Sequence, residues 1–379
     1  MGSVAITLLM LQYLRTSKLG FSARNHNITC IQSERQALLR FKQDPEDPSN
    51  RLAARTHDGD CCKWDGIICN NVTGHVIKLQ LGSSQGVFAS NAEAEAYYLS
   101  YLDLSDNDFG ETSIPTWFWN LSSNLSYLNI SRNQFQGNIP DLLTMIHPPV
   151  VIDLCSYNFS GPLPRLSSNV AAVDLSNNSM SGSTSHFLCY KMNEPMKLEV
   201  LNLGNNLLSG EIPDCWKMFP RLVAIKLCDN NFGGEIPEEV TSLVGLQSLN
   251  FSHNLLVGTI PDNIGAMGSL EYVDLSTNNI SGEIPPTISY LTFLSDLNLS
   301  YNKITGKITT NTQLQSLSAS SFLGTELFGP PLTDSSNAVK FSPSAGKNLD
   351  DRHEVDWSFQ SVELGFCLGF FGVLVPVLH

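Results

Sequence analysis

The sequence predicts an α/β-type solenoid, a right-handed superhelix whose stacked rungs lay a parallel sheet along one concave face. Three observations carry this expectation. Segments starting at Leu198, Leu222, Leu246, Leu270 and Leu294 are spaced 24 residues apart and each reads L-x-x-[LIV]-x-[LF]-x-x-N. The first four then close with G-x-I-P. Earlier segments starting at Val170, Pro149, Leu125 and Leu99 keep the pattern with spacings of 21 to 28 residues, and a degraded one surrounds Val76, Leu79 and Leu81.

One rung shows why these residue types recur. Leu198, Leu201 and Leu203 point to the core, and the two-residue step from 201 to 203 marks a short strand. A single rung cannot bury that face, so it needs neighbours on both sides. Asn206 ends the strand, where its amide can satisfy backbone groups left over by the turn. Gly210 permits a tight bend, Leu208 and Ile212 line the far wall, and Pro213 stiffens the return without needing an amide donor. This is a leucine-rich repeat array of about ten rungs over residues 76–309. The ladder asparagines are Asn107, Asn133, Asn178, Asn206, Asn230, Asn254, Asn278 and Asn302; Tyr157 replaces one, which predicts a local irregularity. Thr309 stands where other rungs have proline, so the stack is expected to run out there.

The flanks divide by composition. Residues 1–22 read as a signal peptide, with an apolar run from Val4 to Leu14 and cleavage after Ser22, although no basic residue precedes that run. Residues 23–75 read as an N-terminal cap, in which Ser33 and Gln36 form a capping box before Ala37, Leu38, Leu39 and Phe41. Residues 310–340 read as a degenerate C-terminal cap, and 341–358 as an acidic spacer. The apolar run from Leu364 to Leu378 reaches only about 22 Å as a helix against a hydrocarbon core of ~30 Å, so a span must start at Phe359 and extend to His379. Gly365 and Gly369 form a G-x-x-x-G face suited to helix pairing.

Nine cysteines sort by position. Cys30, Cys61, Cys62 and Cys69 lie in the cap and allow three pairings; Cys62 with Cys69 is the easy local closure, which leaves Cys30 with Cys61. A zinc site is the competing reading, and adjacent cysteines in a secreted chain favour disulfides. Cys189 and Cys215 precede successive rungs, which lie about 5 Å apart and within disulfide reach. Cys155 and Cys228 are three rungs apart, roughly 15 Å, and are read as thiols outside any disulfide.

Thirty-six acidic against 22 basic residues give a net charge of −14, with no basic cluster, which excludes an electrostatic footprint for nucleic acid. Sequons at Asn27, Asn71, Asn120, Asn124, Asn129, Asn158, Asn177, Asn250, Asn279 and Asn298 suit a secreted glycoprotein, though the repeat creates LNLS and NNxS strings by itself. No catalytic constellation, cofactor motif or metal-ligand spacing is present among the eight histidines, so no enzyme is expected. Asp103, Asp153, Asp174 and Asp274 share a repeated strand position with Asn129, Asn202, Asn250 and Asn298 and are read as scaffold.

Recognition is expected on exposed strand positions alternating with the buried leucines. Two columns vary where the core does not. The first includes Tyr101, Tyr127 and Tyr272; the second, just before the ladder, includes Arg132, Asp229, His253 and Tyr301. Tyrosine and arginine are favoured interface anchors.

The motifs S-E-R-Q-A-L-L-R-F-K (33–42), C-C-K-W-D-G-I-I-C (61–69), the S-G-E-I-P rungs, T-Q-L-Q-S-L-S-A-S-S-F (312–322) and F-G-P-P-L (328–332) together resemble the plant leucine-rich-repeat receptor-like proteins, which lack a kinase. The likeness is strongest to the disease-resistance subgroup that perceives microbial proteins. It implies a plasma-membrane protein with an extracellular recognition domain for a peptide, protein or glycan, one transmembrane helix, and a receptor-kinase adaptor or co-receptor as signalling partner. The alternatives are a soluble binding protein that inhibits microbial cell-wall-degrading enzymes, or a shortened decoy receptor. Two departures stand out: Phe328 replaces the first cysteine of the family's C-terminal pair, and no non-repeat island interrupts the rungs at Leu222 and Leu246.

Overall fold

The computed structural model describes residues 29–42, 59–71, 73–80, 99–107, 113–114, 116–119, 125–141, 150–155, 158–165, 167–189, 194–308 and 312–332. All of them belong to one compact unit, Ile28–Val339. The predicted signal peptide, the acidic spacer, the apolar C-terminal run with Gly365 and Gly369, and the residues Asn27, Asn120, Asn124 and Tyr157 lie outside the described residues. Among the described residues, no helix is long and apolar enough to cross a membrane.

Eleven strands form one sheet in chain order along the stack, from Ile67–Cys69 and Val76–Gln80 to Asp296–Asn298. The first pair is antiparallel and every later pair is parallel, as one strand per right-hand turn of chain requires. Equivalent residues stand beside each other: Ala224 pairs with Val200 and Ser248, and Ile225 with Leu201 and Leu249. Leucines of the repeat face inward, and Leu198, Leu201, Leu203 and Leu208 are fully buried. A completely buried leucine contributes roughly 1.5–3 kcal/mol, and each is buried only because the next rung covers it.

The opposite edge carries a second set of short parallel strands from the S-G-E-I-P segments, one sheet running Ser160–Gly161, Ser179–Gly182, Leu207–Glu211 and Asn231–Gly233. Glycine is needed here: Gly258 has φ +76°, in the left-handed region. The return path is made of 3₁₀ turns, Cys215–Met218, Glu238–Ser242, Ile264–Ala266 and Pro286–Tyr290. Gly265 sits in one of them because any Cβ there would overlap the Thr287 carbonyl of the next turn.

The asparagine ladder binds the rungs to each other. Asn230 Nδ2 donates to the carbonyls of Leu227 (3.2 Å) and Cys228 (3.0 Å) in its own rung and of Leu203 (3.0 Å) in the preceding one. Its Oδ1 accepts the Leu208 N–H at 3.0 Å. Asn206, Asn254, Asn278 and Asn302 repeat the arrangement. Near Tyr157 the pairing of Val150–Asp153 with Val170–Asp174 shifts register between Val150 and Val151.

The N-terminal cap differs from expectation in one respect. Its helix runs Gln32–Lys42, so Ser33 lies inside it and does not cap it. Glu34 is taken by a distant partner: its carboxylate accepts the Val76 N–H at 2.7 Å and meets His75 Nδ1 at 2.8 Å, which pins the helix to the start of a strand. Disulfides join Cys30 to Cys61 and Cys62 to Cys69, with Cα atoms 5.4 Å apart in each pair. Asp60 Oδ1 ties both pairs together by accepting the N–H groups of Cys30 and Cys62. Cys189 and Cys215 form a third disulfide between rungs, whereas Cys155 and Cys228 are buried and in no disulfide.

At the other end the stack closes by hydrogen bonding. The strand Glu326–Phe328 pairs in parallel with Lys303–Lys307, and Ser321 and Leu323 carbonyls accept the N–H groups of Leu299 and Tyr301. Leu314, Phe322 and Leu327 cover the last core layer.

Asn230→Ala leaves the Leu208 N–H and the Leu203 carbonyl buried without their partner. It is expected to destabilise the array by about 2–4 kcal/mol, read as a lowered denaturant midpoint with loss of cooperativity between the two halves.

Candidate functional site

The concave face is built from strand residues that alternate with the buried leucines. The structure brings two of the predicted tyrosines together. Tyr101 and Tyr127, register partners on adjacent strands, stack with ring centroids 4.3 Å apart and planes 6° from parallel. Lys78, one rung earlier, places Nζ 4.1 Å from the Tyr101 centroid, a cation–π contact that sequence reading missed. It was discoverable from register, since Lys78 is the strand partner of Tyr101. Burial lowers the Lys78 pKa, and Asp103 partly restores it. Burial raises both tyrosine hydroxyls well above their ordinary range, so both stay neutral donors.

Arg132 sits one rung on, its guanidinium 3.4 Å from the Asp106 carboxylate in an exposed pair. An exposed pair of this kind contributes at most about 1 kcal/mol and leaves the guanidinium available to an incoming group. Tyr272 occupies the same strand column as Tyr101 much further along, and its hydroxyl lies 3.3 Å from Asp274 Oδ2. Burial holds it protonated as well. In the middle of the array the column is small and covered: Ala172 and Val200 are buried.

The second predicted column is not part of the strands. Asp106, Arg132, Asn177, Asn205, Asp229, His253, Thr277 and Tyr301 all have φ between 53° and 55°. Each is the left-handed residue of a turn just beyond the strand. Arg132, Asp229, His253 and Tyr301 therefore project from the rim of the concave face. The conformation is held because each of these N–H groups still reaches the next rung, as Asp229 does to Ser252 O at 3.1 Å and His253 to Ser276 O at 2.9 Å. Among non-glycine residues, asparagine, aspartate and histidine tolerate this region best, and a β-branched residue tolerates it worst.

The sequons also separate. Asn71, Asn158 and Asn279 are exposed. Asn129 is buried, with its Nδ2 donating to the Tyr127 hydroxyl and its Oδ1 accepting from the Ser131 N–H and hydroxyl, so a glycan there is incompatible with the packing. Asn177, Asn250 and Asn298 are partly buried on or beside the concave face.

The shared strand position behaves as scaffold at most rungs. Asp103, Asn129, Asp174, Asn250 and Asn298 each accept both the N–H and the hydroxyl of the serine two residues on. Asp153 and Asp174 are buried register partners on neighbouring strands. Burial raises both carboxyls above their usual range; for Asp153 the Asp174 charge adds to the shift.

Comparison with known proteins agrees with this architecture. Residues 31–70 match the Leucine rich repeat N-terminal domain family. Residues 98–121, 124–145, 197–219, 245–267 and 269–291 match the Leucine Rich Repeat family, and 290–308 a further Leucine Rich repeat family. The chain is similar to receptor-like protein EIX2 of Solanum lycopersicum, 40% identical over 134 residues, which is 32% of this chain and 13% of that protein. It is also similar to receptor-like protein EIX1 of the same plant, 32% identical over 245 residues, or 59% of this chain and 23% of that protein. The chain carries a leucine-rich-repeat N-terminal domain and leucine-rich repeats, and its relatives include plant receptor-like proteins. It spans less than a quarter of the length of these two relatives.

Among solved structures, a plant ice-binding protein shares the fold at TM-score 0.63 and 24% identity, covering 82% of this chain and 99% of that one. A structure described as a TDR receptor matches at TM-score 0.57 and 27% identity, covering 70% of this chain and 46% of that one.

Thr277 is the β-branched member of the left-handed column. Thr277→Asn is expected to stabilise the protein by about 1 kcal/mol, measured as a raised midpoint in equilibrium denaturation.

Proposed function

We propose that this protein is the extracellular recognition domain of a plant receptor-like protein, which binds a peptide, protein or glycan along its concave face and signals through an associated receptor kinase in defence. One observation carries the reading. The rungs hold their core leucines and ladder asparagines fixed, while the residues they present outward change from rung to rung, with a stacked Tyr101–Tyr127 pair, Lys78 and Arg132 gathered at one end.

The chemistry of that end suits an extended partner. Two neutral tyrosines offer an aromatic face and hydroxyl donors, Lys78 and Arg132 offer cationic charge, and Asp103 and Asp106 offer acceptors. Tyrosine and arginine anchors dominate binding energy when clustered. Tyr272, with Tyr301 and His253 on the rim, is a second contact region further along the groove. The relatives' description as receptor-like proteins, and a solved structure described as a receptor, favour recognition over catalysis. In this reading the apolar segment 359–379 anchors the chain in the plasma membrane, and Gly365 and Gly369 face the partner kinase's helix.

The full-length protein, expressed in leaf tissue, is expected in the membrane fraction and to bring a receptor kinase with it after gentle solubilisation and crosslinking. Recovery solely in the medium overturns the anchored reading in favour of a soluble inhibitor. Tyr127→Ala and Tyr272→Ala are expected to weaken capture of the extracellular ligand about tenfold or more each, with kinase association unchanged. Capture indifferent to both substitutions removes the concave face from recognition.

A further inference from the structure

The rung of Val150–Asp153 breaks the repeat in two ways at once. Every other aspartate of the shared strand column has a neutral or cationic residue as its neighbour in register: Asp103 lies between Gln80 and Asn129, and Asp274 between Asn250 and Asn298. Asp153 and Asp174 alone among the described residues of this column set two carboxylates side by side. Cys155 also replaces the serine whose hydroxyl serves the carboxylate or amide in the rungs of Asp103, Asn129 and Asp174.

The consequence is a carboxylate with fewer protein hydrogen bonds than its neighbour. Asp153 is 5% exposed, and its single hydrogen bond is the one Oδ1 accepts from the Cys155 N–H at 3.0 Å. Asp174 by contrast accepts from the Ser176 N–H, the Ser176 hydroxyl and Asn202 Nδ2. One carboxylate oxygen of each aspartate and the Cys155 sulfur all lie within 4.8 Å of one another. Two adjacent carboxylates on neighbouring strands repel when both are ionised, and either a proton or a cation between them relieves this. The nearest cations act from a distance: Arg132, which pairs with Asp106, favours ionised Asp153, and Lys226, two rungs from Asp174, favours ionised Asp174.

We propose that Asp153, Cys155 and Asp174 bind a divalent transition-metal cation of the zinc type on the concave face. The donor set argues the class. Two carboxylate oxygens with a thiolate sulfur suit a borderline ion, whereas calcium and magnesium take oxygen alone. Bonds of about 2.0–2.3 Å put tetrahedral ligands roughly 3.5 Å apart, a contraction that small side-chain rotations supply. Binding displaces the Cys155 thiol proton, and any proton that burial holds on the Asp153 carboxyl, to solvent, and leaves a fourth position for water or a ligand's donor atom. Asn177 Nδ2, 3.5 Å from the Cys155 sulfur, serves as an outer-shell donor to the thiolate.

The test uses the full chain, expressed through the secretory pathway with its disulfides formed and purified in detergent, and the metal alone. Cobalt(II) is expected to bind one per chain with a thiolate-to-metal charge-transfer band, and zinc to displace it. Cys155→Ser, which restores the residue found at Ser105, Ser131 and Ser176, is expected to abolish the band while unfolding in chelator is unchanged. Asp153→Lys, which places here the residue type of Lys226, is expected to remove metal binding and the zinc-dependent rise in unfolding temperature. Cys228→Ser is expected to leave both intact. Absence of stoichiometric cobalt or zinc uptake by the folded wild-type protein overturns the site, and so does a band that survives Cys155→Ser or disappears with Cys228→Ser. No receptor ligand enters the measurement, so its failure leaves the recognition reading standing.

Discussion

The amide of the ladder asparagine is the constraint on which the rest of the structure depends. A rung must leave its strand sharply, which strips partners from the carbonyls at the strand exit of that rung and of the one before. Asn230 answers both with one side chain, bonding Leu227, Cys228 and Leu203 carbonyls and the Leu208 N–H. Because these bonds cross rungs, the spacing of turns, strands and core layers is set together. An array of this kind gains stability from interfaces between neighbours rather than from any rung alone. This explains why the core residues and the ladder recur together while other positions vary from rung to rung.

The left-handed residue before each asparagine follows from the same constraint. Placing the amide beneath the preceding rung requires the backbone to turn back, and φ near +54° does this in eight rungs. The cost, about 1–2 kcal/mol for an ordinary L-residue, is offset because the N–H of that same residue extends the inter-rung bonding. The side chain is thrown outward to the rim. Side-chain variety there is cheap in packing terms, and what selection remains is for residues that accept this conformation. That is one reason Asp229 and His253 occupy it without any need for a ligand, and it weighs against counting every rim residue as a contact.

The period, core positions, ladder and cysteine pairings were legible in the sequence because each depends on local spacing. What escaped it depended on contacts between distant residues or on backbone sign. The rim column read as strand because a two-residue alternation does not reveal where φ changes sign. Ser33 read as a helix cap because the S-x-x-Q pattern is local, while Glu34 was committed to His75 and Val76 some 41 and 42 residues away. The C-terminal end read as degenerate for want of a cysteine pair, yet parallel pairing of Glu326–Phe328 with Lys303–Lys307 covers the core instead. The Tyr101–Tyr127 stack was half legible: the column was visible, and the contact with Lys78 required the register.

Asp153 shows most clearly how a repeat conceals a site. Position by position it belongs to a column of scaffold aspartates and asparagines, and treating the column as one class is sound for Asp103 and Asp274. The class fails where two neighbouring rungs both choose aspartate and one of them exchanges serine for cysteine, because charge repulsion and hydrogen-bond supply are properties of adjacent rungs and not of a rung alone. In a stack whose uniformity is enforced by the ladder, such a coincidence has a cost that nothing in the core or the turns returns. Regularity elsewhere is what gives the exception its meaning: a carboxylate set beside another and given fewer hydrogen bonds is costly to ionise, and a repeat that solves the same problem with serine in most other rungs had the alternative at hand.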